Sequence, residues 1–244
     1  KAVGKLVNLR EAVDQDAPAD AFAGIGHTRW ATHGRPTVAN AHPHVSPDGR
    51  FALVHNGIIE NADNLRAQLR AQGAVFASET DTEVVVHLLA HAYDQAEPAS
   101  YTGEVAQLSG TDEAVARRLV VAMREVTAKL EGTFTLLALS TESPKVIVAA
   151  RRSSPLVIGL GEEENFLGSD VLAFIEHTNR AVEIGQDQLV VVSASAVTVI
   201  GADGHPVPLK EYEVDFSADR ATKGGWPTFM EKEIHEQPRG VADT

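Results

Sequence analysis

A chain of 244 residues suits one large domain, or a domain followed by a short tail. Hydrophobic residues make up 43% of it, enough for a core, and the formal net charge of −13 argues against nucleic acid as the main partner, because phosphate backbones attract basic surfaces. The chain has no cysteine, so these residues supply no disulfide, no thiolate metal ligand and no thiol nucleophile.

The termini and the apolar runs carry no membrane or export signal. The first residues, KAVGKLVNLR, lack the apolar segment of a secretion signal. No apolar run reaches the roughly 18 residues that a membrane span needs. We therefore expect a cytoplasmic protein with no membrane partner.

The first distinctive segment is residues 27–44, HTRWATHGRPTVANAHPH, which has neither helical nor strand periodicity. Its histidines, arginines, prolines and glycine predict an irregular loop outside the core. The run FALVH, residues 51–55, then predicts a strand. The dipeptide Asn56-Gly57 after it is the strongest short signal for a hairpin turn. Residues 51–55 and the run after Gly57 are therefore predicted to form two adjacent strands.

Three amphipathic helices are predicted next, each with a repeating apolar face. They span residues 61–73, 78–95 and 111–132. The second starts with Thr80, followed three residues later by Glu83. This spacing is typical of a capping box, in which each side chain bonds the other residue's backbone amide.

Short β-rich runs separated by turn residues form the remainder of the domain. A brief helix is predicted at residues 171–178, and Asp203-Gly204 predicts a turn. Helices that lie between groups of hairpin-connected strands indicate two antiparallel sheets covered by helices, which is the α+β class. The predicted strands are residues 133–140, 145–151, 155–160, 165–169, 181–184, 188–194 and 196–201.

The string RWATHG is the first candidate for binding chemistry. Arg29 carries a rigid fork of donors that suits a carboxylate. Thr32 and His33 add donors, and Gly34 lets the loop turn. The alternative is a solvated loop with a packed Trp30, and these residues alone do not separate the two interpretations.

A metal site is the weaker interpretation of the same segment. Its candidate ligands are His27, His33, His42 and His44. No pair has the spacing that places two histidines on one helix face, and no carboxylate completes a ligand set. We therefore expect neither a metal nor a cofactor.

Two further segments offer complementary groups. Asp81 follows the predicted cap, where the helix dipole keeps its carboxylate ionised, and a fixed carboxylate there suits an amine. With Arg29 it would form a receptor for a zwitterionic amino acid. The Asn56 amide and the Gly57 N–H, if they do not simply form a turn, would converge on an oxyanion. Together these groups suggest hydrolysis of the side-chain amide of glutamine or asparagine, with the nucleophile missing.

Seven strings, in chain order, resemble the class II glutamine amidotransferases. More specifically they resemble the glutaminase domain of the glutamine–fructose-6-phosphate aminotransferases (isomerizing), the glucosamine-6-phosphate synthases. The resemblance covers nearly the whole chain and implies a four-layer αββα sandwich of the N-terminal nucleophile hydrolase type. It also implies a type 2 amidotransferase domain at residues 1–220 and a connector to sugar-isomerase domains at residues 221–244. The strings are GIGHTRWATHGRPT, NAHPHVS, VHNGIIENADNLR, SETDTEVVVHLL, AARRSSPLVIGLG, GSDVLAFIEHT and FMEKEIHEQP.

The resemblance implies a role for each candidate residue. Arg29 binds the α-carboxylate of glutamine, and Asp81 binds its ammonium group. Asn56 and Gly57 form the oxyanion hole. The loop that closes on the substrate supplies two more contacts and the tryptophan that gates the ammonia channel: Thr32, His33 and Trp30.

The resemblance also implies a nucleophile and an acceptor that the 244 residues do not include. An N-terminal cysteine, with its own α-amino group as base, attacks glutamine, and the ammonia released converts fructose 6-phosphate to glucosamine 6-phosphate. We expect this chain alone to be inactive and the full-length protein to be a homodimer. Two alternatives stay open: another class II amidotransferase, and a non-catalytic glutamine-binding module.

Overall fold

A computed structural model describes residues 1–16, 21–30, 34–214 and 225–242. The α-helices in these ranges are α1 (Leu6–Gln15), α2 (Ala62–Ala71), α3 (Asp81–Gln95), α4 (Gly110–Lys129) and α5 (Phe229–Ala242). Single 3-10 turns occur at Pro98–Ser100 and Val171–Ala173. The strands are β1 (His44–Val45), β2 (Phe51–Ile59), β3 (Gly132–Ser140), β4 (Ser143–Arg152), β5 (Val157–Leu160), β6 (Asn165–Gly168), β7 (Arg180–Glu183), β8 (Leu189–Val192), β9 (Val197–Ile200), β10 (Pro206–Val207) and β11 (Glu211–Glu213).

The strands form two sheets. The larger has seven strands in the order β1-β2-β3-β4-β8-β9-β10, and the smaller has four in the order β11-β7-β5-β6. Every pairing between these strands is antiparallel. The predicted α+β arrangement of antiparallel sheets with helices is therefore confirmed.

The side chains of the larger sheet alternate between two cores. In β8, Leu189 and Val191 belong to the core beneath helices α2, α3 and α4. Their neighbours Val190 and Val192 belong to the core between the two sheets. Because successive strand residues point to opposite faces, one continuous apolar run serves both cores.

The three predicted amphipathic helices are confirmed as α2, α3 and α4. Thr80 caps α3, since its hydroxyl accepts a hydrogen bond from the Glu83 backbone N–H at 3.3 Å. The Glu83 carboxylate does not return to Thr80. It accepts instead from the backbone N–H groups of Ala77 and Ser78 at 2.8 and 2.7 Å, so the capping box forms in one direction only.

The predicted hairpin turn at Asn56-Gly57 is wrong. Both residues lie inside β2, which pairs with β3 without a break from Phe51 to Ile59. Gly57 has a φ of +135°, so its positive φ serves a strand rather than a turn. A Cβ there would lie 2.8 Å from the carbonyl carbon of Thr133 on β3. The glycine is needed for this close approach of two backbones.

The predicted helix at residues 171–178 is reduced to the single 3-10 turn Val171–Ala173. Buried Phe174 follows it and packs with Val157 and Ala181 on the outer face of the smaller sheet. The predicted turn at Asp203-Gly204 is confirmed between β9 and β10. Helices α1 and α5 have no counterpart in the sequence prediction. No helix in the described ranges is long and apolar enough to cross a lipid bilayer.

Candidate active site

One cavity of about 310 Å³ collects residues from three separate parts of the chain. The end of β2 contributes Asn56 and Gly57, and the first turn of α3 contributes Asp81. The segment before residue 31 contributes Arg29 and Trp30. The sequence separates Arg29 from Asp81 by more than fifty residues. Packing of α3 against β2 brings Asp81 beside Asn56 and Gly57.

Asp81 lies at the N-terminus of α3 and is only 6% exposed. Its Oδ1 accepts a hydrogen bond from the Thr82 backbone N–H, and its Oδ2 accepts one from the Ile59 backbone N–H, both at 2.9 Å. A carboxylate has about four lone-pair sites, so each oxygen keeps capacity for a ligand cation. The two amides fix the carboxylate in place, and the helix dipole favours its charge.

Arg29 supplies a positive charge to the cavity that Asp81 also lines. Its Nη1 donates to the Arg35 carbonyl at 3.2 Å, and its Nη2 donates to the Gly34 carbonyl at 3.1 Å. These carbonyls belong to the loop after the segment that holds Arg29. The loop backbone therefore orients the guanidinium, a planar group suited to holding a carboxylate through two parallel hydrogen bonds.

Asn56 stands between two cavities. It lines the 310 Å³ cavity and also a second one of about 240 Å³ between the sheets, where its neighbours include Val54, Leu137 and Leu156. The Asn56 side chain is exposed, whereas His55 before it is buried. An amide placed this way borders both cavities.

Polar side chains from the segment of residues 27–44 form a largely buried layer, part of which lines the cavity. The His42 Nε2 lies 2.8 Å from the Thr82 hydroxyl, and the His44 Nε2 lies 2.9 Å from the Thr80 hydroxyl. Asn40, only 2% exposed, accepts a hydrogen bond from the Glu79 backbone N–H at 3.0 Å. The prediction that this whole segment lies outside the core is therefore wrong. The first turn of α3 supplies partners that let polar groups be buried.

The imidazoles of this layer pack against one another. The ring centroids of His27 and His42 lie 4.2 Å apart, and those of His42 and His44 lie 5.1 Å apart. Burial and the neighbouring cationic groups lower the pKa of His42 to about 2 and the pKa of His44 to about 4. Both rings are therefore neutral at pH 7.

The metal interpretation gains no support from this geometry. Within the described ranges, no group of three or more histidine or carboxylate side chains is arranged to hold a metal ion. The His27 and His42 rings are tilted by 37° to each other, and His42 meets His44 edge to face. The Nε2 atoms of His42 and His44 bond threonine hydroxyls. His33 lies outside the described residues.

The remaining predicted site residues divide into two groups. Trp30 is 89% exposed at the cavity rim, so the alternative of a packed Trp30 is wrong. Thr32 and His33 lie outside the described residues. Sequence reasoning missed His55 and Thr82, which also line the cavity. A histidine within the apolar run FALVH was the one available signal for His55.

Comparison with known proteins adds independent information. A family model described as a glutamine amidotransferase domain matches residues 27–176. The chain is 51% identical over 244 residues to the glutamine–fructose-6-phosphate aminotransferase (isomerizing) of Leifsonia xyli subsp. xyli, and 52% identical to that of Streptomyces coelicolor. Each match covers 100% of this chain and 36% of the relative, so the chain spans about a third of the length of these relatives.

Solved structures agree on the fold. Glutamine phosphoribosylpyrophosphate amidotransferase from B. subtilis, solved with ADP and GMP, matches with a TM-score of 0.52 at 22% identity, over 71% of this chain and 33% of that one. The allosteric regulatory enzyme of purine biosynthesis matches with a TM-score of 0.51 at 21% identity. The predicted α+β sandwich fold is thereby confirmed. With residues 27–176 matched by the family model, the chain belongs to the glutamine amidotransferase domain family.

Proposed function

We propose that this chain is the glutaminase part of a longer glutamine–fructose-6-phosphate aminotransferase. One observation carries the proposal: a cationic and an anionic side chain, Arg29 and Asp81, line the same cavity as Asn56 and Gly57. The two relatives with that name, at 51% and 52% identity, support this acceptor over the phosphoribosyl acceptor of the 22% identical structure.

Glutamine would bind as a zwitterion in this proposal. The Arg29 guanidinium takes the α-carboxylate, and the Asp81 carboxylate takes the ammonium group. Asp81 is suited to this because backbone amides already hold both of its oxygens in fixed positions. Thr32 and His33 are proposed as further contacts in the loop that closes over the ligand. The side-chain amide of glutamine then extends toward Asn56.

The chemical step requires a nucleophile from outside these 244 residues, which contain no cysteine. Its attack on the side-chain carbonyl carbon moves negative charge to the carbonyl oxygen. The Asn56 amide and the Gly57 N–H are proposed to donate hydrogen bonds to that oxygen, which stabilises the tetrahedral intermediate. Ammonia leaves as the intermediate collapses, and water releases glutamate from the acyl enzyme.

The released ammonia must reach a second site without loss to solvent. Trp30, exposed at the cavity rim, is proposed as the gate to that path. Fructose 6-phosphate would bind in sugar-isomerase domains joined through residues 221–244. A cytoplasmic homodimer is proposed for the full-length protein.

Calorimetric titration of this chain with L-glutamine tests the binding part of the proposal. Asp81→Asn should weaken binding by about tenfold or more, because it removes one charge from a buried charge-assisted pair. Asp63→Asn is the matched control, since Asp63 also lies in the first turn of a helix but does not line the cavity. Glutaramate, which lacks the ammonium group, should bind Asp81→Asn and the unmodified chain equally. An equal loss of glutamine affinity in Asp63→Asn, or unchanged glutamine binding by Asp81→Asn, would refute the assignment.

Activity assays of the full-length protein distinguish between the possible ammonia acceptors. Glutamine-dependent formation of glucosamine 6-phosphate from fructose 6-phosphate is the expected result. Ammonia transfer to phosphoribosylpyrophosphate would favour the other class II amidotransferase. Glutamine binding without hydrolysis would favour the non-catalytic module.

A further inference from the structure

Thr82 lies at the junction of the elements that build the cavity. It is fully buried in the first turn of α3, directly after Asp81. Its hydroxyl oxygen lies 2.8 Å from the His42 Nε2 and 3.1 Å from the His55 Nδ1. One hydroxyl therefore joins α3, strand β2 and the loop before β1.

The hydrogen-bonding capacity of a hydroxyl matches this position. It has one hydrogen and two acceptor lone pairs, so it serves two imidazole nitrogens at once. The His55 Nδ1 also lies 3.8 Å from the Asp81 Oδ2. A carboxylate favours an N–H rather than a lone pair on the facing nitrogen. We therefore assign the hydrogen of His55 to Nδ1, with the Thr82 oxygen as its acceptor.

The two imidazole partners of this hydroxyl, and Thr82 itself, each lie close to a proposed substrate contact. His55 immediately precedes Asn56 on β2, and Thr82 immediately follows Asp81 on α3. The His42 ring stacks against His27, which lies two residues before Arg29. A displacement of the hydroxyl partners would therefore change the spacing between the groups proposed to hold the two ends of glutamine.

We propose that Thr82 is a positioning residue of the glutamine site: its hydroxyl sets the distance between Asp81 and Asn56 and, through His42, the placement of the segment that carries Arg29. This inference rests on the proposed function of the cavity. Thr82 itself need not touch the substrate, because its hydroxyl is already surrounded by the two imidazoles and the Asp81 carboxylate.

Two substitutions separate the hydroxyl from the shape of the side chain. Thr82→Val keeps the branched shape but removes the hydroxyl, which leaves two buried imidazole nitrogens without their common partner. Thr82→Ser keeps the hydroxyl and loses a methyl group. Thr127→Val is the control for the chemical change itself, because the Thr127 hydroxyl bonds the Arg124 carbonyl within α4 and Thr127 does not line the cavity.

Glutamine affinity of the full chain, measured by calorimetry, is the first measurement. Thr82→Val should bind glutamine at least about tenfold more weakly, because the groups proposed to hold the two ends of glutamine would no longer be held at the same spacing. Thr82→Ser should stay within about threefold of the unmodified chain, and Thr127→Val should be unchanged. Equal glutamine affinity of a folded Thr82→Val variant and the unmodified chain would overturn the positioning role.

Long-range ¹H–¹⁵N spectra of the imidazoles are the second measurement and need no ligand. The unmodified chain and Thr82→Ser should show His55 protonated at Nδ1 and slow in solvent exchange. A His55 proton on Nε2 in the unmodified chain would overturn the inference even where Thr82→Val does not fold. Failure of the unmodified chain to bind glutamine refutes the proposed function. Glutamine binding by the unmodified chain, with equal affinity in a folded Thr82→Val variant, refutes this inference alone.

Discussion

Gly57→Ala tests the correction that the structure makes to the sequence prediction. In a hairpin turn, the side chain at this position would point to solvent. Inside β2, a Cβ at residue 57 would lie 2.8 Å from the Thr133 carbonyl carbon and closer still to its oxygen. Favourable contacts between carbon atoms begin at about 3.5 Å. Strands β2 and β3 would have to separate where Gly57 faces Phe134.

The expected loss in the free energy of unfolding of Gly57→Ala has two parts. The φ of +135° at Gly57 costs an L-residue about 1–2 kcal/mol, the usual penalty for a left-handed backbone. Overpacking against a neighbour adds about 1–3 kcal/mol, and the upper end applies here because the neighbour is the backbone of a paired strand. We expect Gly57→Ala to lower the free energy of unfolding by about 3–5 kcal/mol, a large part of the 5–15 kcal/mol that is typical of a domain.

Gly73→Ala is the matched control. Gly73 has a φ of +95°, but a Cβ there would have no neighbour within 4 Å. It carries the conformational cost alone, about 1–2 kcal/mol. Urea unfolding followed by circular dichroism measures both variants on the same chain. Equal losses in the two variants would show that β2 and β3 do not approach as closely as the structure has them, and would restore the turn interpretation.

Three further predictions concern catalysis, pH and the Asp81 carboxylate. In the full-length protein, Asn56→Ala should lower the kcat for glutamine hydrolysis by about 10²–10³, the cost of one oxyanion donor, with a much smaller change in KM; an unchanged kcat would remove Asn56 from the mechanism. Because the lowered pKa values of His42 and His44 mean that the unfolded state binds more protons, stability should fall as pH drops below about 6.5, by about 2–4 kcal/mol from pH 7 to pH 5. Urea unfolding at both pH values measures this, and equal free energies would contradict the burial of neutral rings. Asp81→Asn should also destabilise the chain by about 1–3 kcal/mol in the same assay, because its amide presents one acceptor oxygen where the carboxylate serves two backbone amides; a stability equal to that of the unmodified chain would show that one of those bonds is dispensable.

Periodicity predicted those parts of the fold that depend on local pattern. The helices α2, α3 and α4 each follow a repeating apolar face, and the β-rich runs after α4 became strands. The predicted helix at residues 171–178 is wrong because tertiary packing overrides the local helical pattern. Phe174 is buried against the smaller sheet, where a Cβ on Gly159 would meet its ring. The chain gains more from that contact than a short helix could supply.

Chemistry predicted which residues could bind an amino acid, but not how they are held. The Asn56-Gly57 signal is local, and a local signal does not distinguish a turn from a strand glycine under a close neighbouring backbone. That distinction depends on Thr133, more than seventy residues away in the sequence. The convergence of Arg29 and Asp81 on one cavity likewise depends on how the segment of residues 27–44 packs against the start of α3.

The buried polar layer shows why the segment of residues 27–44 was the hardest part to interpret. Its polar residues look solvated when they are considered alone. In the structure they pair one by one with the first turn of α3: Asn40 with Glu79, His44 with Thr80, and His42 with Thr82. Each pair joins residues 36 to 40 positions apart. Two segments that each look like a loop or a helix cap in the sequence therefore supply each other's hydrogen-bond partners.

This pairing has a consequence for the site. Buried polar groups cost free energy unless each finds a partner, so the layer holds the segment in one register against α3. Asp81, between Thr80 and Thr82, is bonded mainly by backbone amides, and its carboxylate therefore remains available at the cavity wall. The neighbours of Asp81 anchor the segment of residues 27–44. Two backbone amides fix the Asp81 carboxylate, which keeps further lone pairs at the cavity that Arg29 also lines.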